Sequence, residues 1–167
     1  QVSAVAAALD LAGLKAGDHI AILSENRTEW LFADLGAQGI GLQSVGIYQT
    51  NPPEDVAYVL QHSQSQVVFC EDQEQVDKLI AVQEETPNLK RIVVFDPRGL
   101  RNTDDQRIVH WEDFLAAGHA RLKVDPNWFR ERVMTLDPEK PAMVVYTSGT
   151  TGQPKGAMLS GRNALLM

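Results

Sequence analysis

Apolar positions along this chain recur with two alternating periods, one helical and one strand-like. Val2, Val5, Ala6 and Leu9 share one face of a helix at the start. Gly17-Asp18 makes a turn, and His19 to Leu23 reads as a buried strand. Asn26 or Thr28 can cap a helix running from Glu29 towards Gly39, because a short side-chain oxygen there satisfies an orphan N–H. Ser44 to Tyr48 is a second strand. Pro52-Pro53 suits a helix start, where a missing N–H costs nothing, and that helix turns Val56, Val59 and Leu60 inward. Gln66 to Cys70 is a third strand. Gln75 to Glu84 carries the helical period through Val76, Leu79 and Ile80, and Arg91 to Phe95 is a fourth strand. Strands of about five residues thus alternate with helices of about ten, and the strands are apolar on both faces. That pattern predicts an α/β fold, a layered parallel β-α-β sheet flanked by helices.

Asp96 to Ile108 is polar, holds Pro97 and Gly99, and is the strongest internal boundary. Beyond it, Trp111 to Ala117 reads as a short helix, and Asp125-Pro126 as the N-cap and first residue of another. Pro138 and Pro141 bracket a turn before a strand from Ala142 to Tyr146.

Composition narrows the class. A chain of 167 residues suits one domain and can bury roughly 70% of its unfolded surface. With 44% hydrophobic and 22% charged residues it is ordinary for a globular protein. The net charge of −7 weighs against nucleic acid or an anionic membrane as the main partner. Arg98, Arg101 and Arg107 are interleaved with Asp96, Asp104 and Asp105 and form no basic patch. The single cysteine, Cys70, excludes a disulfide framework within the chain, suits a reducing cytosol and reads as core filler. No signal-peptide pattern is visible. The longest uncharged run, Leu35 to Pro53, is broken by polar residues and does not read as a membrane span. The chain opens inside a helical pattern at Gln1 and stops on Ala164-Leu165-Leu166-Met167 without a cap, so both ends read as cut.

The densest chemistry lies in VVYTSGTTGQPKGAML, from Val144 to Leu159. A Walker loop needs glycine immediately before the lysine, and Pro154 precedes Lys155; the spacing of Gly149, Gly152 and Gly156 does not fit the dinucleotide fingerprint. The ingredients are nevertheless those of a phosphate cradle. Gly149 and Gly152 allow close backbone approach, and Thr147, Ser148, Thr150 and Thr151 supply hydroxyl donors. Lys155 adds a positive charge on a long stem, and Pro154 stiffens the end of the loop. Such a loop suits a polyphosphate; a polar surface hairpin loop is the other reading that these residues allow.

The order of residues in YTSGTTGQPKG resembles the signature loop of the adenylate-forming (AMP-binding) superfamily, which holds acyl-CoA synthetases, peptide-synthetase adenylation domains and luciferases. GDHIAILSENRTEW, DLGAQGIGLQSVGIYQT and DPRGLRNTDDQRIVHWEDFLAAG resemble its long-chain fatty acyl-CoA synthetase branch. Where many relatives read Ser/Thr-His-Arg-Asn, this chain reads Ser160-Gly161-Arg162-Asn163 and brings no histidine. The resemblance implies that residues 1–167 are part of a large N-terminal AMP-binding domain, with the rest of that domain and a small C-terminal domain downstream. It implies a two-step ligase of fatty acid metabolism. A fatty carboxylate attacks the α-phosphate of ATP to give an acyl-adenylate and pyrophosphate, and the thiol of coenzyme A then displaces AMP. In such relatives the loop grips the β- and γ-phosphates, so Thr147, Ser148, Gly149, Thr150, Thr151, Gly152 and Lys155 carry over as phosphate-binding. Gly156 to Leu159 is then the return strand of a hairpin, and Ser160 caps the last helix.

The family motifs for adenine, ribose, the magnesium-binding glutamate and the catalytic lysine lie beyond Met167, so no catalytic residue and no metal ligand is assigned, and these residues alone are expected to be inactive. ATP, Mg2+ and coenzyme A are the implied cofactor and co-substrates. The implied partners are small molecules and not nucleic acid; peripheral membrane attachment and a homo-oligomer stay open, and the implied location is the cytoplasm. A ligase for an aryl or other carboxylic acid, and a non-catalytic phosphate-binding or assembly module, are the alternatives. Among other candidates, His19, His62, His110 and His119 show no metal-ligand spacing and read as structural or solvent-facing. Trp30, Trp111 and Trp128 read as packing residues near helix starts, Glu84-Glu85 as a solvated face, and Tyr48, at a strand end, as packing rather than cleft-lining.

Overall fold

The computed structural model describes residues 1–100, 103–147 and 153–166. Its elements are α1 (Val2–Leu11), β1 (His19–Leu23), α2 (Thr28–Gln38), β2 (Gln43–Ile47), α3 (Pro53–Ser63), β3 (Val67–Cys70), α4 (Gln73–Ala81), β4 (Arg91–Val94), β5 (Ile108–His110), α5 (Trp111–Val124), α6 (Trp128–Met134), β6 (Pro141–Thr147), β7 (Lys155–Ser160) and α7 (Gly161–Leu166). Among the described residues seven strands form one sheet in the order β5-β4-β3-β1-β2-β6-β7. All neighbours are parallel except β6 and β7, which form an antiparallel hairpin. The α/β layering expected from the sequence is therefore present.

The doubly apolar strands explain the layers. Along β1, Ile20 and Ile22 join Phe69 and Val93 against α1, α2 and α5. Ala21 and Leu23 join Val68, Cys70 and Val94 against α3 and α4 on the opposite face. Side chains alternate across a strand, so a strand covered on both faces reads as a continuous apolar run. The helix α1 is alanine-rich because its neighbours cross it closely. A Cβ on Gly118 of α5 would lie 2.7 Å from the carbonyl carbon of Ala4, and one on Gly36 of α2 would lie 2.7 Å from Val5 Cγ1.

Several boundaries differ from expectation. Neither Asn26 nor Thr28 caps α2: Arg27 is the N-cap in an extended conformation, makes no side-chain cap bond, and Thr28 is already helical. Asp72 caps α4, accepting from the Gln75 N–H at 3.3 Å, so that helix starts at Gln73; it ends at Ala81 and a 3₁₀ turn, Gln83–Glu85, follows. The polar stretch after Asp96 is not a break in the sheet, since it ends in β5, which pairs with β4 through Ile92↔Ile108 and Val94↔His110. The helix from Trp111 runs on to Val124, because Gly118 is a contact residue against α1 rather than a stop. Pro126 lies in a turn closed by the Trp128 N–H on the Asp125 carbonyl, so α6 begins two residues later than the sequence suggests.

Because β1, β2, β3 and β6 are parallel, Ser24, Tyr48, Glu71 and Thr147 all lie at the carboxyl edge of the sheet. Ligand sites of open α/β sheets gather at that edge.

Candidate functional site: the β6–β7 hairpin

The hydroxyl-rich loop leaves the sheet at its carboxyl edge and returns through β7. Its mouth is set by antiparallel pairing: Thr147 faces Lys155, and Tyr146 faces Gly156. Directly opposed residues have Cβ atoms roughly 4.5–5.5 Å apart. Thr147 and Lys155, both exposed, are therefore brought together across the mouth. Ser148, Gly149, Thr150, Thr151 and Gly152 lie outside the described residues. Beyond the return strand, the Ser160 hydroxyl accepts from the Asn163 N–H at 3.2 Å, while Asn163 Oδ1 accepts from the Ser160 N–H at 3.3 Å. This reciprocal capping box starts α7 at Gly161, as expected for Ser160.

The hairpin rests on α3. The Tyr58 hydroxyl donates to the Pro154 carbonyl at 2.9 Å, and His62 Nδ1 lies 2.7 Å from the Tyr146 hydroxyl. Tyr58 and His62 stack with centroids 5.7 Å apart, and His62 meets Tyr146 edge-on. Burial, with the neighbouring Tyr58, pushes the Tyr146 phenol above its ordinary pKa. A Cβ on Gly156 would lie 2.9 Å from Val144 Cγ1 and 3.2 Å from Tyr146 Cζ. Glycine is thus what lets the return strand pass the ring. The roles of Tyr58 and His62 are not visible in the sequence reading, which assigns His62 to structure or solvent. The signal available was two polar aromatics one helical turn apart on α3.

At the ends of β1 and β3 the chain's own polar groups pair with one another. Glu71 accepts from the Glu25 N–H at 2.9 Å and the Ser24 hydroxyl at 3.4 Å, and lies 3.5 Å from Arg27. The hydrogen bond between Arg27 and Glu29 raises the guanidinium pKa and lowers that of the carboxyl, and Arg27 also covers the Phe95 ring at 5.3 Å. Arg98, bonded to Asp96, holds that carboxyl down to about 2. Arg27, Glu29 and Glu71 are thus paired with one another. Tyr48 is 75% exposed, so it does not pack as the sequence reading favours. Trp111 and Trp128 are buried as expected. Burial pushes the Cys70 thiol far above its usual range, in keeping with a core role. Asp34 of α2 is a buried carboxylate that the sequence reading does not single out. It accepts from Ser44 at 2.5 Å and Gln38 at 2.7 Å, and its burial raises its pKa against those bonds. Among the described residues no group of three His, Cys, Asp or Glu side chains is placed to hold a metal ion.

Against this geometry, the family model described as "AMP-binding enzyme" matches residues 1–167. The chain belongs to the AMP-binding enzyme family. This AMP-binding chain is 34% identical over 151 residues to "Long-chain-fatty-acid--CoA ligase ACSBG2" of Xenopus laevis, covering 90% of this chain and 20% of that protein. It is 32% identical over 163 residues to "Long-chain-fatty-acid--CoA ligase FadD15" of Mycobacterium bovis, covering 98% of this chain and 25% of that protein. It therefore spans a fifth to a quarter of the length of these relatives. In three dimensions it matches the crystal structure of the anthranilate CoA ligase AuaEII in complex with anthranoyl-AMP. The TM-score is 0.73 at 23% identity, over 96% of this chain and 28% of the other, a likeness of fold.

Proposed function

We propose that residues 1–167 form part of the N-terminal AMP-binding domain of an ATP-dependent fatty acid:CoA ligase, and that the β6–β7 loop grips the polyphosphate of ATP. The observation that carries this reading is the pairing of Thr147 with Lys155 at the mouth of the family loop, at the carboxyl edge of the sheet. The choice of a fatty acid is supported by the names of the curated relatives. In the first step a carboxylate oxygen bonds to the α-phosphorus while the bond to the β-phosphate oxygen breaks, so negative charge grows on the leaving pyrophosphate. Fixed donors are most effective where charge grows, each worth roughly 10²–10³ in rate at an oxyanion-type site. In this reading the Lys155 ammonium, the hydroxyls of Thr147, Ser148, Thr150 and Thr151, and backbone N–H groups at Gly149 and Gly152 are the candidate donors to that pyrophosphate. In the second step the coenzyme A thiolate attacks the acyl carbon and AMP leaves.

Magnesium, when bound with ATP, neutralises phosphate charge; no residue assigned here is its ligand. Adenine, ribose and carboxylate contacts are not among the assigned residues either, so residues 1–167 alone should give no turnover. The reading is tested by supplying the intact protein with ATP, magnesium, coenzyme A and either palmitate or anthranilate, and measuring AMP and thioester. Palmitoyl-CoA as the main product supports it. Thioester from anthranilate alone would transfer the assignment to aryl acids, and no AMP with any acid would favour a non-catalytic phosphate-binding module.

A further inference from the structure

We infer that Tyr58 and His62 are positioning residues that hold both ends of the phosphate loop; the inference rests on the loop reading above. Tyr146 lies just before the loop, and Pro154 lies at its end, next to Lys155. Each is tied by a polar atom to the same helix: Pro154 by the Tyr58 hydroxyl at 2.9 Å, Tyr146 by His62 Nδ1 at 2.7 Å. The two tethers are one turn apart on α3, so a single rigid element sets the separation of the loop's two ends. That helix is itself fixed, with Val56, Val59 and Leu60 buried in the core beside Val45 and Ile47 of β2.

The rings align one another as well. The Tyr58 and His62 planes are 23° apart, whereas His62 and Tyr146 meet at 85°. The return strand passes close to the same ring at Gly156, where a Cβ would approach it to 3.2 Å. A tyrosine and a histidine are more than apolar filler here, because each spends its polar atom on the hairpin. Donors aimed at a leaving pyrophosphate act through prior placement, and small errors in position are expensive in rate. Removing a tether should therefore slow adenylation without touching the phosphates directly.

The experiment compares Tyr58→Phe, His62→Ala, His62→Asn and Lys155→Ala in the intact protein by palmitate-dependent ATP–pyrophosphate exchange, alongside thermal unfolding. Tyr58→Phe keeps the ring and loses only the O–H; His62→Asn keeps a polar atom near the place of Nδ1. Tyr58→Phe and His62→Ala should each lower kcat about 2- to 12-fold, the range of one neutral hydrogen bond. The KM for palmitate and the unfolding temperature should stay at wild-type values, and His62→Asn should recover most of the rate. Wild-type exchange in Tyr58→Phe and His62→Ala, beside a Lys155→Ala variant that is impaired, would overturn the tethering inference and leave the loop reading standing. A His62→Asn variant no better than His62→Ala, or rates that fall only in step with unfolding temperature, would also overturn it. Wild-type exchange in Lys155→Ala would instead remove the loop reading beneath it.

Discussion

Replacing Gly156 with alanine adds one methyl group at the most crowded point of the hairpin. The new carbon would sit 2.9 Å from Val144 Cγ1 and 3.2 and 3.4 Å from two atoms of the Tyr146 ring. Carbon atoms pack best at about 3.5–4.0 Å, so something must yield by roughly 0.6 Å or more. Val144 cannot yield easily, being 6% exposed and packed in the core with Val45, Ile47 and Val59. The Tyr146 ring can swing only by giving up His62. The remaining relief is movement of β7 itself, which carries Lys155 next door. Overpacking of this kind costs about 1–3 kcal/mol. If all of it fell on the adenylation barrier, the rate would drop roughly 5- to 160-fold. The assay is palmitate-dependent pyrophosphate exchange in the intact protein, with Val144→Ala as the partner in a double-mutant cycle. Val144→Ala deletes the atom in closest contact, so the two changes together should cost less than the sum of each alone. Wild-type exchange in Gly156→Ala, or strictly additive effects, would refute the steric reasoning.

Two further outcomes concern the scaffold. Gly118→Ala sets a methyl group 2.7 Å from the Ala4 carbonyl carbon, where backbone rather than a side chain must move, so α1 and α5 must part; a loss of about 3 kcal/mol in urea unfolding is expected, and an unmoved midpoint contradicts it. Burial raises the Asp34 carboxyl above its unfolded pKa, so its contribution to stability is fully present below the unfolded value and is lost as pH rises through the folded one. Asp34→Asn keeps the acceptor oxygen for Ser44 and Gln38 but cannot ionise, so above about pH 4 its urea midpoint should gain on that of the wild type. Midpoint curves that run parallel across pH would count against a raised carboxyl.

The layers were legible because they depend on local pattern. A strand buried on both faces is written as an unbroken apolar run, which is why His19–Leu23 is placed to the residue. Several of the errors fall where the deciding partner is distant in the chain, beside local ones at Asp72 and Pro126. The three-residue β5 has polar neighbours and exists through its pairing with β4. Gly118 reads locally as a helix stop, yet it is kept inside α5 by its contact with α1. Arg27 takes the cap position of α2 while its guanidinium is drawn to Glu29 and Glu71, a tertiary tie that no capping rule anticipates. At the proposed site, the hydroxyls, glycines and lysine are contiguous in the chain, so a phosphate loop can be proposed from the sequence alone. The supports beneath them could not, since Tyr58 and His62 reach partners 96 and 84 residues away.

The central claim is that Lys155 and the loop it closes grip the pyrophosphate that leaves when ATP adenylates a fatty acid. The most direct measurement is palmitate-dependent exchange of labelled pyrophosphate into ATP by the intact protein and by its Lys155→Ala variant, over a range of ATP concentrations. Loss of one charge-assisted hydrogen bond, about 1.5–3 kcal/mol, should lower kcat/KM for ATP roughly 10- to 150-fold while the protein stays folded. An unchanged kcat/KM for ATP in the folded variant would contradict the claim.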